Sequence, residues 1–134
     1  MEFPMETEKK QEQEGVLLLA HGSRIAETEE TMRTIRSYVA RDLEGVPVEI
    51  GFLQFSETSL RRALETLVKQ GATRIKVIPY FLFNGVHIKE DIPAEIAAFA
   101  KERPDITVTF GSTLGADPAL AKLLVRRIRE MAFS

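Results

Sequence analysis

Val16-Leu17-Leu18-Leu19-Ala20-His21-Gly22-Ser23-Arg24 is the stretch whose reading decides the fold. Five apolar residues in a row, with no polar alternation, describe a strand buried on both faces, as in the parallel sheets of α/β proteins. The polar His-Gly-Ser-Arg that follows ends the strand in a tight turn. Downstream, Thr28–Leu43 carries Met32, Ile35, Val39 and Leu43 at spacings of three and four, the stripe of an amphipathic helix. Val46–Leu53 reads as a second strand, and Glu57–Lys69 as a second helix that stops before Gly71. Ile75–Phe83 reads as a third strand, with Pro79 near its end, where no ladder donor is needed. Asp91 as N-cap and Pro93 in the first turn predict a third helix over Ile92–Lys101, stopped by Pro104. Ile106–Phe110 is a fourth strand, and Asp117-Pro118 opens a last helix through Met131.

The order β-α-β-α-β-α-β-α predicts an α/β fold: an open, mainly parallel four-stranded sheet with helices on both faces and right-handed crossovers, layered as in flavodoxin-like folds. The 134 residues leave room for one domain. Residues 1–14, with five Glu, two Lys and no aliphatic periodicity, read as a flexible N-terminal tail ahead of a single domain over 15–134.

Composition excludes several function classes. Eighteen Lys and Arg against 20 Asp and Glu give a net charge of -2, no field to gather nucleic acid or an anionic membrane. No apolar run reaches the length of a membrane span, and the acidic N-terminus does not resemble a signal peptide, so the expected setting is the cytoplasm. Without cysteine, the chain has no disulfide, thiolate metal site, iron–sulfur cluster or thiol nucleophile.

In open parallel sheets, ligands sit outside the carboxyl ends of the strands. Here those ends are His21-Gly22-Ser23-Arg24, Gln54-Phe55-Ser56-Glu57, Phe83-Asn84-Gly85-Val86-His87 and Gly111-Ser112-Thr113, and both histidines of the chain fall among them. A facing pair of imidazoles suits metal binding or proton abstraction; equally, each can satisfy a loop carbonyl. Ala20-His21-Gly22-Ser23-Arg24 lacks the flanking glycines of a G-x-S-x-G elbow, so Ser23 reads as a turn or cap residue and not as a hydrolase nucleophile. Gly22-Ser23 is at most a weak phosphate cradle, because neither a P-loop Lys nor G-x-G-x-x-G follows the strand. Phe52, Phe55, Tyr80, Phe81 and Phe83 read mostly as core, with one or two free to wall a pocket for a flat ligand. Arg24 and Lys89 flank the histidines as partners for carboxylates or as solvated charge.

Taken together, Leu19–Arg24, Gly51-Phe52-Leu53-Gln54-Phe55-Ser56-Glu57 and Val77–Leu82 running into Gly85-Val86-His87-Ile88-Lys89-Glu90-Asp91-Ile92-Pro93 resemble the short sirohydrochlorin cobaltochelatases, the CbiX-type class II chelatases. The likeness spans about residues 16–131. It implies a chelatase-like fold that inserts a divalent metal, typically cobalt, into sirohydrochlorin without ATP. The metal is a substrate, and no cofactor is permanently bound. Nickel or iron insertion on the same substrate, or a metal or tetrapyrrole carrier without catalysis, are the alternatives.

By the same resemblance His21 and His87 are the metal ligands and catalytic groups. Ser23, Arg24, Gln54, Phe83, Gly85 and Lys89 are the expected macrocycle contacts, and a homodimer shares the cleft. Many members carry Glu where this chain has Gln54, and an amide cannot take the proton a carboxylate would. Glu57, nearby, reads as a charge that favours the N-terminus of the second helix.

Overall fold

The structure, a computed structural model, describes residues 12–133. Strand and helix alternate without exception: β1 (Glu14–Ala20), α1 (Ala26–Asp42), β2 (Val48–Phe52), α2 (Leu60–Lys69), β3 (Arg74–Pro79), α3 (Val86–Glu102), β4 (Thr107–Phe110) and α4 (Pro118–Glu130). All pairings are parallel, in the order β2-β1-β3-β4, so the chain reverses its direction of travel across the sheet after β2. That reversal leaves the crevice beside the carboxyl end of β1, the position of His21.

The unbroken apolar run of β1 is explained by its place between β2 and β3, because its two faces belong to two separate cores. Leu17 and Leu19 pack with Leu60, Leu64 and Leu67 of α2 and Ile92, Ile96 and Phe99 of α3. Val16, Leu18 and Ala20 pack with Met32 of α1 together with Val48, Ile50 and Phe52 of β2. Gly51 lets α2 close on the sheet: a Cβ there would stand 3.2 Å from Leu60 Cα and 3.2 Å from Leu17 Cδ2.

Several boundaries differ from the expected ones. The sheet begins before Gly15, since Glu14 opens β1 and the Gln13 carbonyl accepts from Thr73 N at 2.9 Å; of the expected tail, residues 1–11 lie outside the described residues. Glu57 stands ahead of α2, because Phe52 N donates to Thr58 O at 2.8 Å and Ser59 caps the helix, accepting from Arg62 N. β3 stops at Pro79, and Tyr80–Phe83 leave the sheet.

The largest difference is in α3. It starts at Val86, six residues before the expected Ile92, and carries Pro93 in its interior with Gly85 as N-cap. Buried Ile88, Ile92, Ile96 and Phe99 form one apolar stripe across the proline, and that burial outweighs the single helical hydrogen bond Pro93 removes. The last helix departs from the expected layering as well. None of the residues of α4 is buried, and Leu124 and Ile128 are 62% and 61% exposed.

Candidate active site at the carboxyl ends of the strands

His21 is the first residue beyond β1, and the backbone around it is tied to the end of β2. Leu53 N donates to Ala20 O at 3.0 Å and Gln54 N to His21 O at 3.1 Å. Gly22 makes this closeness possible. Its φ is +86°, and a Cβ on it would lie 2.1 Å from the Gln54 carbonyl oxygen. The His21 ring stands 4.3 Å, centroid to centroid, from Phe81, which is buried.

His21 lines a depression on each side of the strand ends. On the α3 side is a cavity of about 360 Å³ bounded by His21, Leu53, Gln54, Ile88, Asp91, Ile92 and Glu95. On the α1 side is one of about 380 Å³ whose walls include Gly22, Thr28, Met32 and Tyr80. The chemistry concentrates in the first, where an imidazole, an amide and two carboxylates surround one space. Among the described residues no three His, Cys, Asp or Glu side chains converge as a closed metal cage. His87 is the second residue of α3, so the helix that delivers Asp91 and Glu95 to the cavity also carries position 87 one turn earlier.

The other expected residues divide. Arg24 stacks over the Phe55 ring, its guanidinium carbon 4.7 Å from the centroid, and Phe55 is half exposed with a left-handed φ of 59°. A bulky residue held in that conformation is strained, and such strain gathers at functional sites. The Ser23 hydroxyl is engaged inside its own turn, 2.5 Å from Thr28 Oγ1 and accepting from Ile25 N at 3.1 Å. Gly85 caps α3, its carbonyl accepting from Lys89 N at 3.0 Å. Phe83, Gly85 and Lys89 are exposed, and none of them lines the His21 cavity. Of the five aromatic residues expected mostly in the core, Phe52 and Phe81 are buried, while Phe55, Tyr80 and Phe83 are exposed at 49%, 40% and 79%.

The sequence pattern hides Asp91 and Glu95, because Asp91 reads as a helix cap. With the helix begun at Val86, positions 91 and 95 stand one turn apart and both line the cavity. The helices that start beside this site also differ from the others. α1 and α3 begin without a side-chain cap, whereas α2 and α4 are capped by Ser59 and Asp117. The N-terminal N–H groups of α1 and α3 therefore face the strand-end edge with donors to offer an anion.

The fold and this edge define a class: a parallel α/β protein with an imidazole at the first strand's end and carboxylates of the third helix lining one cavity. The chain belongs to the CbiX family, whose model matches residues 15–131. It is 32% identical over 123 residues to the sirohydrochlorin cobaltochelatase of Methanosarcina acetivorans, covering 87% of this chain and 95% of that one. It is 34% identical to the sirohydrochlorin ferrochelatase of Bacillus subtilis over 88% of this chain and 45% of the longer relative. Among solved structures, the sirohydrochlorin chelatase SirB of Bacillus subtilis subspecies spizizenii in complex with cobalt superposes with a TM-score of 0.79, at 32% identity, over 90% of this chain and 51% of that one. A CbiX protein of cobalamin biosynthesis from Marinobacter aquaeolei superposes with a TM-score of 0.75 at 27% identity, covering 87% and 95%.

Proposed function

We propose that this chain is a sirohydrochlorin chelatase that inserts a divalent metal ion, cobalt first and nickel or iron as alternatives, without nucleotide. The observation that carries this reading is the CbiX match over nearly the whole described chain, with His21 set at the strand-end crevice. Cobalt is put first because a relative of the same length, the Methanosarcina protein, is a cobaltochelatase, whereas the ferrochelatase relative is about twice as long.

Insertion exchanges water ligands on the ion for four ring nitrogens and releases two pyrrole protons. The site must hold the ion loosely and accept protons. His21 and His87 receive the metal; as it passes to the ring, one of them takes one pyrrole proton and the second proton leaves to water. The neutral amide of Gln54 cannot accept a proton, and the carboxylates of Asp91 and Glu95 on the same cavity supply the anionic oxygen that the amide lacks. The acidic periphery of the macrocycle is met by Arg24, Lys89 and the uncapped N-termini of α1 and α3, with Phe55 and Phe83 against its flat face. Ser23 and Gly85 shape the two turns that present these groups. The working unit is a homodimer that shares its cleft, and the setting is the cytoplasm. No helix among the described residues is long and apolar enough to cross a membrane.

The test is an anaerobic absorbance assay with sirohydrochlorin and cobalt, nickel or iron, each against a protein-free control. Acceleration by the wild type and its loss in both His21→Ala and His87→Ala is the expected result. Wild-type rates in both variants would remove the histidines from the mechanism. Spectral binding of the macrocycle without acceleration would identify a carrier.

A further inference from the structure

The His21 ring rests on Phe81, a residue with no place yet in the proposed reaction. The two ring centroids are 4.3 Å apart and the planes are tilted by 34°, closer to an offset stack than to an edge-on contact. Among the described residues, no hydrogen bond to the imidazole nitrogens joins this contact. A histidine that ligates a metal is ordinarily aimed by a bond from its second ring nitrogen to a carboxylate or a carbonyl. Here a buried aromatic face stands in the place of that bond.

Phe81 is fixed firmly enough to serve. It lies two residues past the end of β3, where the chain has left the sheet, yet it is only 7% exposed. Its segment is tied on both sides: Tyr80 N donates to Leu19 O of β1 at 2.7 Å, and Phe81 O accepts from Leu114 N, beyond β4, at 2.9 Å. The side chain joins the core of Leu17, Leu19, Ile88 and Ile92, so the ring against His21 and the helix turn that carries position 87 share one anchorage. Alternation along β1 agrees, since residues 17 and 19 face this core and residue 21 continues the same side. His21 borders the cavity of Gln54, Asp91 and Glu95 while Phe81 does not, so the aromatic ring supports the imidazole without occupying the space an ion would enter.

We infer that Phe81 is a positioning residue for metal insertion: its fixed face holds the His21 imidazole in one rotamer, aimed into the cavity. A free imidazole at a strand end is spread over staggered χ1 wells, and binding an ion would have to gather it into one of them. The stack removes that freedom beforehand. Unlike a hydrogen bond, it engages neither ring nitrogen, so the ring is aimed without committing a nitrogen to a protein partner. The inference rests on the chelatase reading for the reaction and on geometry alone for the placement of the ring.

Two measurements test it. Phe81→Leu keeps an apolar side chain in the core and removes the face; Phe99→Leu makes the same exchange in the same core, away from the cavity, and serves as its match. With sirohydrochlorin and cobalt, Phe81→Leu should lower kcat by about 10–100-fold, the range for groups that aim a metal-binding histidine, with KM for the macrocycle unchanged. Phe99→Leu should keep the wild-type rate at a comparable loss of melting temperature, and Phe81→Tyr, which retains the ring, should keep it too. The chain has two histidines, so its imidazole C–H signals in proton NMR form two sets, and His87→Ala identifies the His21 set. In the metal-free chain at about pH 9, where imidazole is neutral, the Phe81 ring current should hold that set upfield. Phe81→Leu should return it to the ordinary position and Phe99→Leu should not. A His21 set that stays put in Phe81→Leu, or equal rate losses in Phe81→Leu and Phe99→Leu, overturns the positioning role and leaves the chelatase reading standing. A wild-type chain that does not accelerate insertion, with a His21 set that moves in Phe81→Leu, overturns the chelatase reading and leaves the placement of the ring standing.

Discussion

Gly22→Ala tests whether the backbone at the end of β1 positions His21. The added Cβ would sit 2.1 Å from the Gln54 carbonyl oxygen, roughly 1.3 Å inside the ordinary contact distance of 3.4 Å, and that oxygen is backbone with no rotamer to change. The φ of +86° adds about 1–2 kcal/mol for any residue with a side chain. Displacing Gln54 also loosens its 3.1 Å bond to the His21 carbonyl, about 1 kcal/mol more. The sum is a destabilisation of about 2–4 kcal/mol, read as a lower urea midpoint at unchanged m. At about 4 °C per kcal/mol the melting temperature falls by roughly 8–16 °C. Because His21 moves with the clash by an ångström or so, metal insertion measured where the variant is still folded should fall on the order of 100-fold. A stability within about 0.5 kcal/mol of wild type, together with an unchanged insertion rate, would refute the reasoning.

Ile92→Ala removes a side chain that is 1% exposed in the stripe holding α3 to the sheet, and chemical unfolding should record a loss of about 2–5 kcal/mol. Phe55→Gly relieves a left-handed phenylalanine at a half-exposed position, so the fold should gain up to about 1 kcal/mol while the KM for the macrocycle rises; a loss of stability would show that the ring packs more than it strains. The Glu102 carboxyl is held below its usual range of about 4.5, chiefly by its hydrogen bond to Arg61 and then by that guanidinium's charge. A depressed carboxylate adds stability at pH above its unfolded value and loses it as the pH falls through the folded one. Comparing Glu102→Gln with wild type in denaturant titrations should therefore show a difference that closes below about pH 4.5, and a difference constant through that range would contradict the pairing.

What could be read from residues alone followed the strength of each pattern. β1 announced itself because a strand covered on both faces needs an uninterrupted apolar run, and the two cores meeting at Val16–Ala20 are the reason for it. Asp91 and Pro93 imitate a helix start, so the sequence places α3 six residues late, and only the three-dimensional stripe of Ile88, Ile92, Ile96 and Phe99 overrules them. That error hid Asp91 and Glu95 from the site, since a cap residue is not sought in a cavity. The exposure of Tyr80 and Phe83 was equally out of reach, because their aromatic type suits a strand and the chain leaves the sheet at Pro79 for a reason outside the local sequence. Amphipathicity correctly marked α4 as a helix but carries no information on which surface receives its apolar side.

Pro93 has no N–H to offer the Lys89 carbonyl, so the turn that begins α3 is joined to the rest of the helix by one rung fewer. The residues on its two sides are anchored unequally. Beyond it, Ile96 and Phe99 are locked in the core; before it, Ile92 and Ile88 are buried in the same core, while Val86, Lys89 and Glu90 face outward. The first turn, held to the core by Ile88 alone and joined onward by one rung fewer, is the end of the helix at which opening begins. Amide hydrogen exchange should register the division as rapid exchange over residues 86–90 and slow exchange over 95–100, and a uniform rate along α3 would mean a single unit. In the proposed chelatase, which takes up an ion and then surrenders it inside a macrocycle, a first turn that opens ahead of the rest of the helix would let the grip slacken at little expense to the fold.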